Sequence, residues 1–507
     1  MENPNSEFSF SSELQPTFTL RPSQRVAALS IEEALKENKF VFLEAPTGAG
    51  KTIIGQTVLE DVSTLSEHGI YTCHTKGLQQ QYLTDFPHIP VMYGRSNYPT
   101  EHDPSKTALD CEGTGCQYCT VCPYKVAKAT FLDATIAMTN LSYLMAEINY
   151  VGRAQPYLIV IDEADLLEKV LLDFVSLNIP EYVLTNRYHL NTPSKKTVMS
   201  AWVEWAEYAS EHMQRHLGSL KTMVRNGGFV DEKELEDVHT IVQKLKVLLD
   251  PEIGLATDNW VYDGYSSKSN RFLSFKPIIA APFAEHYLWR HAEKFVLMSA
   301  TPISHSAIAQ ALGIPQYSEI RLPSIFPPER RPIRIVPTAK MSAKSTPEDY
   351  EKMARQIIEI LDIHQGRVLI HTVSYALADR LRLLVGTPRA VADLDEYLRF
   401  PSAVFFTPSI NRGVSLAYDD CEAIIIPKLP YMSLGDKQVS ARLYSPGGQV
   451  WYSVHTIREL VQMTGRGMRY ADDWCTSYIL DGNFLNLWNR QKHLFPVWWR
   501  DAVKRGM

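Results

Sequence analysis

The sequence predicts an α/β protein built on parallel sheets covered by helices on both faces. Two observations carry this. Short, mostly apolar runs of strand length recur towards both ends of the chain, at 40–43, 158–161, 295–298, 367–370 and 423–426. Such runs suit strands buried on both faces, and helical patterns follow them, at about 374–385 for example. The composition agrees. The chain has 507 residues, 45% of them hydrophobic and 21% charged. At roughly 150 residues per domain that allows about three domains with a sizeable core, which excludes a mainly disordered chain. Fifty-one Lys and Arg against 57 Asp and Glu give a net charge of −6. This excludes binding to a polyanion by bulk charge, so any nucleic-acid site has to be a local groove. Residues 1–16 lack a basic start and an apolar run of signal length, and no apolar run approaches the roughly 20 residues of a membrane span. A soluble protein of the cytoplasm with no membrane partner is expected.

Taken in order, the strand at 40–43 runs into Ala45-Pro-Thr-Gly-Ala-Gly-Lys-Thr52 and then a helix, the context of a P-loop. Ala45, Gly48, Ala49 and Gly50 are small enough for backbone N–H groups to wrap phosphate oxygens, helped by the positive end of the helix. Lys51 is expected to neutralise the β/γ-phosphates of ATP and Thr52 to ligate Mg²⁺. Next comes a loose stretch, 99–125, rich in Cys, Thr, Gly and Pro. It holds four of the seven cysteines, Cys111, Cys116, Cys119 and Cys122. An odd cysteine count and this clustering point to a metal or iron–sulfur site in a reducing compartment rather than to disulfides. Four thiolates suit a [4Fe–4S] cluster, a [2Fe–2S] cluster or tetrahedral Zn²⁺, and spacing alone does not separate them.

The strand at 158–161 ends in Asp162-Glu-Ala-Asp165. Asp162 is expected to hold Mg²⁺ and Glu163 to polarise the attacking water. The middle of the chain reads as an inserted antiparallel helix pair. Trp202, Trp205, Met213, Leu217, Leu220 and Val224 recur at helical spacing, Gly227-Gly228 breaks the pattern, and Asp231 caps a second helix with Leu235, Val238, Val242, Leu245 and Leu249 on one face. The strand at 295–298 ends in Ser299-Ala-Thr301, whose hydroxyls can link the acidic motif to a moving domain. Near the end, Gln462-Met-Thr-Gly-Arg466-Gly-Met-Arg469 places two arginines three apart, suited to reach γ-phosphate oxygens from an opposing domain.

The order P-loop, Asp-Glu-Ala-Asp, Ser-Ala-Thr and Gln-x-x-Gly-Arg-x-x-Arg resembles a superfamily 2 helicase. The cysteine block, preceded by Gly94-Arg-Ser-Asn-Tyr-Pro99 and followed by Pro-Tyr124, narrows this to a resemblance to the XPD/DinG family of iron–sulfur helicases. The resemblance covers nearly the whole chain. It implies two RecA-like domains with ATP between them, Gln462, Arg466 and Arg469 acting across the cleft, and a [4Fe–4S] cluster. It also implies single-stranded DNA and duplex junctions as partners, and 5′→3′ translocation. The family's first cysteine falls at Thr100, so Cys111 is the candidate replacement.

The implied layout assigns 1–98, 126–170 and 286–325 to the first RecA-like domain and 326–507 to the second. Residues 99–125 are then the cluster insertion and 171–285 a helical arch-like insertion. Family positions suggest DNA contacts at Thr75, Gln80, His371 and Arg412. Gln24, in Arg21-Pro-Ser-Gln24, is placed either to read the adenine edge or simply in a helix N-terminus with Pro22 in its first turn. The tryptophans of the tail, Trp498 and Trp499, suit core packing better than base stacking. A monomer is expected. The rival readings are an RNA-directed Asp-Glu-Ala-Asp ATPase, an iron–sulfur electron carrier or redox sensor, and an ATP-binding structural clamp.

Overall fold

The computed structural model describes residues 20–506 except 47, 64–66, 75, 102, 111–120, 153, 197, 268–269, 302, 325, 409–415, 417 and 469–471. Cys111, Cys116, Cys119, Thr75, Arg412 and Arg469 therefore lie outside the described residues.

Two parallel sheets of seven described strands each form the frame. The first runs in the order Ser318–Arg321, Phe40–Glu44, Lys294–Ser299, Leu158–Ile161, Gly69–Cys73, Ile136–Asn140, Val91–Met92. Alternation explains why its strands read as continuous apolar runs. Phe40 and Phe42 join Ile159, Ile161, Phe295 and Leu297 in one core layer. Val41 and Leu43 join Leu158, Val160, Val296 and Met298 in the layer on the opposite face. With both faces covered, the central positions of 40–43, 158–161 and 295–298 are all apolar, and polar side chains such as Glu44 and Ser299 fall at strand ends. The second sheet repeats the scheme in the order Ala390–Val391, Val404–Thr407, Val368–His371, Ala423–Ile426, Thr476–Asp481, Ile333–Ala339, Val503–Arg505. Leu369 and Ile424 face one core layer, Val368 and Ile370 the other.

Strand order positions the motifs. Phe40–Glu44, Lys294–Ser299 and Leu158–Ile161 are neighbours in register, with Glu44 opposite Ser299 and Leu297 opposite Ile161. The P-loop, Ser-Ala-Thr and Asp-Glu-Ala-Asp segments leave side by side from the carboxyl ends of adjacent strands, where ligands bind in open α/β sheets. Ala45 N–H donates to Ser299 O at 3.1 Å and Asp162 N–H to Thr72 O at 2.9 Å, so the motif loops begin pinned to their neighbours.

The helix pair stands at Met199–Arg225 and Glu232–Leu249. Gly227, at φ +77°, makes the turn, and Asp231 caps the second helix by accepting from Lys233 N–H at 2.9 Å. Trp202 is fully buried and packs on Phe275 and Tyr262. Those aromatics belong to something the helical reading of 171–285 does not include, an antiparallel sheet of Leu177–Pro180, Trp260–Tyr262, Tyr265–Ser267 and Asn270–Pro277. Its strands are short, and the central one, 270–277, pairs with 177–180 across the whole helix pair as well as with 260–262 and 265–267 nearby.

Candidate nucleotide site

The P-loop turn rests on two glycines in the left-handed region, Gly48 at φ +77° and Gly50 at φ +83°. A Cβ on Gly50 would overlap the Gln24 amide, so glycine is required there by both backbone and space. The helix Lys51–Val62 starts at this turn. Lys51 Nζ lies 3.8 Å from Glu163 Oε1. Burial works against the Lys51 charge, but Glu163, then Asp162 and Asp165, outweigh it and raise the ammonium above its ordinary pKa.

Asp162 Oδ2 accepts from the Tyr71 hydroxyl at 3.1 Å and Oδ1 from Glu163 N–H at 2.9 Å. Burial first, and then Asp162, push the Tyr71 phenol well above its usual pKa, so it serves as a hydrogen-bond donor. Glu163 adopts φ +51°, a conformation costing a non-glycine residue about 1–2 kcal/mol. Such strain marks positions where side-chain direction matters. His74 Nε2 lies 3.0 Å from Glu163 O. Asp165 Oδ1 accepts from Ser299 Oγ at 2.9 Å, and Ser299 Oγ accepts from Thr301 N–H at 3.1 Å.

From the second sheet's side, the helix Gly448–Thr464 brings Gln462 to the same place. Its amide donates to Thr301 Oγ1, and Arg466 donates to Gln462 Oε1 at 3.4 Å. The cleft between the two sheets has a volume of about 420 Å³. Gly48, Gly50, Lys51, Thr52, Asp162 and Glu163 line it from one side, Gln462 and Arg466 from the other.

The same architecture is found in solved structures. An XPD helicase superposes over 96% of this chain and 100% of its own with a TM-score of 0.63 at 15% identity, and S. tokodaii Xpd4 over 96% and 100% with 0.60 at 14%. The two sheets are thus RecA-like domains. The model of the helicase C-terminal domain matches residues 393–502, and that of the type III restriction enzyme res subunit matches 17–164. The ATP-dependent DNA helicase YoaA of Escherichia coli (strain K12) is 21% identical over 93% of this chain and 92% of its own. The ATP-dependent DNA helicase XPD of Sulfolobus acidocaldarius is 20% identical over 92% and 97%.

In fold, motif order and matched domain models the chain is similar to XPD/DinG-type superfamily 2 helicases.

Other expected residues of this chain stand apart from the cleft lining. Gln24 is 2% exposed; its Oε1 accepts from Arg21 N–H at 2.9 Å and its Nε2 donates to Ala49 O at 3.0 Å. Both ends of the amide take part in capping the helix Pro22–Glu37 and bracing the P-loop. Arg21 adds a second brace, donating to Gly48 O at 2.8 Å. Ala45 and Ala49 are buried beneath the turn. His371 is 1% exposed at the end of its strand and does not reach the surface, whereas Gln80 is exposed on the helix Lys76–Asp85. Trp499 is fully buried against Phe484, Trp488 and Phe495, a core residue, while Trp498 lines the cleft. Cys122 is buried at the N-terminus of the helix Pro123–Asp133.

Two contacts were not read from the sequence. Arg458 donates to Asp165 O at 3.0 Å, and Glu168 accepts from Trp451 Nε1 at 3.0 Å. The available signal for Arg458 is its position one turn before Gln462 on the same helix face.

Proposed function

We propose that this chain is a helicase, an ATP hydrolase that steps 5′→3′ along single-stranded DNA and opens duplex at the junction. The observation that carries the reading is the shared cleft. Lys51 and Glu163 stand on one RecA-like domain, and Gln462 and Arg466 on the other. Lys51 would meet the β/γ-phosphates, and Thr52 and Asp162 would hold a Mg²⁺ ion, which would supply charge neutralisation during phosphoryl transfer. Glu163 accepts the proton of the attacking water. Arg466, with Arg469, stabilises the charge on the transferring group. Gln462, tied to Thr301, reports closure to the Asp165–Ser299 pair. Catalysis then requires the two domains to come together, and repeated closure converts turnover into stepping. Gln80, Thr75 and Arg412 are assigned to the DNA track. The domain boundaries given above and a monomeric state belong to the same reading.

The cluster insertion is part of the proposal. The donor set fits an iron–sulfur group. Cys122 is a buried thiol at the N-terminus of the helix Pro123–Asp133. Thr100, where the family has a cysteine, is buried with its hydroxyl donating to Asp103 O at 2.7 Å and accepting from Asp103 N–H at 3.2 Å. We assign Cys111, Cys116, Cys119 and Cys122 as the ligands of a [4Fe–4S] cluster, which ties its loop into a stiff unit.

Strand displacement on paired substrates with 5′ or 3′ overhangs, with and without ATP, tests the function. The 5′-tailed DNA is expected to be displaced only with ATP. Displacement of the 3′-tailed substrate alone overturns the polarity. ATPase stimulation by RNA but not by DNA overturns the substrate.

A further inference from the structure

The helix Gly448–Thr464 carries Trp451, His455, Arg458 and Gln462 at steps of four, three and four residues, so all four share one face. That face lies along the first RecA-like domain over about 16 Å, eleven residues at 1.5 Å each. At the cleft end Gln462 holds Thr301 and Arg466 hydrogen-bonds back to Gln462. In the middle Arg458 donates to Asp165 O. At the far end the face meets Glu168, three residues beyond Asp165 and outside the nucleotide cleft.

Glu168 is buried, and three groups of the second domain converge on its carboxylate. Trp451 Nε1 donates to Oε2 at 3.0 Å, His455 Nε2 lies 3.5 Å from Oε2, and Arg442 lies 3.8 Å from Oε1. Arg442 comes from the preceding helix, Lys437–Tyr444, and its guanidinium sits 5.5 Å from the centre of the Trp451 ring. Burial opposes the Glu168 charge, yet the contacts from His455, Arg442 and Trp451 outweigh it and lower the pKa. Beside these contacts a cavity of about 190 Å³ separates the helix from the first domain. Close-packed interiors resist movement; this gap leaves the helix room to tilt.

We propose that Glu168 is a positioning residue for ATP hydrolysis. By gripping Trp451, His455 and Arg442 it fixes the tilt of the helix Gly448–Thr464 and so sets where Arg466 stands in the cleft. With the Glu168 end released, a tilt of about 5° about Arg458 moves the Arg466 end, eight residues or about 12 Å away, by about 1 Å, and a displacement of about 1 Å can cost a reaction about 10²-fold. The inference rests on the reading of Arg466 as the cation that stabilises the transferring phosphoryl group.

Glu168→Gln keeps an acceptor for Trp451 and removes the charge that holds Arg442. We expect kcat for DNA-stimulated ATP hydrolysis to fall about tenfold while KM for ATP changes less than twofold, because the helix that shifts carries Arg466 and not the P-loop. Glu168→Asp, which keeps the charge, should restore part of the loss. The deciding measurement is a cycle with Arg466→Ala. If Glu168 acts through Arg466, Glu168→Gln costs little further turnover in the Arg466→Ala background. A full tenfold loss in both backgrounds, or an unchanged kcat in Glu168→Gln, overturns the proposal. Should Glu168→Gln fail to fold, Arg442→Met breaks the same grip from the opposite side and enters the same cycle. Arg466→Ala with normal turnover instead removes the arginine reading on which the proposal rests, so the two failures are distinct.

Discussion

Lys51 and Glu163 form an ion pair at 3.8 Å, and the proposed turnover gives each a role that its neighbourhood suits. Lys51 is the cation at the P-loop turn, held charged by Glu163, Asp162 and Asp165 against its burial. Lys51→Ala should abolish ATP hydrolysis, since Lys51 is the cation placed on the β/γ-phosphates and Arg466 lines the cleft from the other domain. Glu163 is held at φ +51° with its carbonyl beside His74 and its N–H donated to Asp162. Glu163→Gln preserves this shape but presents an amide that takes no proton. ATP binding should persist, measured with a fluorescent analogue, while turnover drops by about 10²–10⁴-fold, the usual range for a general base. Near-normal turnover in this variant removes Glu163 as the base.

Among elements, the helix Pro22–Glu37 and the P-loop helix Lys51–Val62 meet through two carboxyls, Glu32 and Asp61. Burial, the Asp61 charge and the hydrogen bond between them push the Glu32 pKa up to about 7, against some lowering by Lys36. A carboxyl with a folded pKa above its unfolded value binds its proton more tightly when folded. Its contribution is therefore fully present below about 4.5 and is lost as the pH rises to about 7. Glu32→Gln mimics the protonated form at every pH. It should melt close to the native chain at pH 5 and above it at pH 8; an equal difference at both values sinks the shared-proton reading.

The elements also show how far the sequence could be read. The strands at 158–161 and 423–426 have the expected bounds, and the two long helices stand where apolar spacing and the Gly227 break put them, because period and punctuation are local. The pairing of 177–180 with 270–277 was not legible, since Leu177 and Phe275 lie almost a hundred residues apart, while the local pairs of 270–277 with 260–262 and 265–267 were passed over by the helical reading of 171–285. The cleft is similarly divided. Lys51, Thr52, Asp162, Glu163, Gln462 and Arg466 converge as their motifs implied. Gln24 carries no mark in sequence of being consumed by Arg21 and Ala49. The Glu168–Trp451 contact joins residues 283 apart on different domains, so no local pattern announces it.

For the whole molecule, the decisive question is what opens the duplex. The cysteine-rich segment leaves after the edge strand Val91–Met92 and returns through the helix Pro123–Asp133 to its neighbour Ile136–Asn140. Both of its roots are therefore on one rigid sheet edge. A further tie, Arg95 to Glu236 at 3.0 Å, joins its base to the helix Glu232–Leu249. A segment so rooted can resist the load of unstacking, about 1.4 kcal/mol per base step, provided its own loop is stiff. Stiffness is what the four cysteines are assigned to supply. Among the described residues, none of this segment lines the ATP cleft. Cys111→Ser should therefore separate the two activities. Purified in the absence of air, the native protein is expected to carry about four irons per chain, and the variant to lose them. Single-stranded DNA should still stimulate its ATP hydrolysis, while displacement of a 5′-tailed duplex falls to a small fraction of the native rate. Full iron in the variant places the fourth ligand elsewhere than Cys111, and zinc in place of iron in the native protein replaces the cluster assignment. Normal displacement by iron-free protein removes the segment as the wedge, leaving the helix pair that Arg95 holds to it as the next element to test.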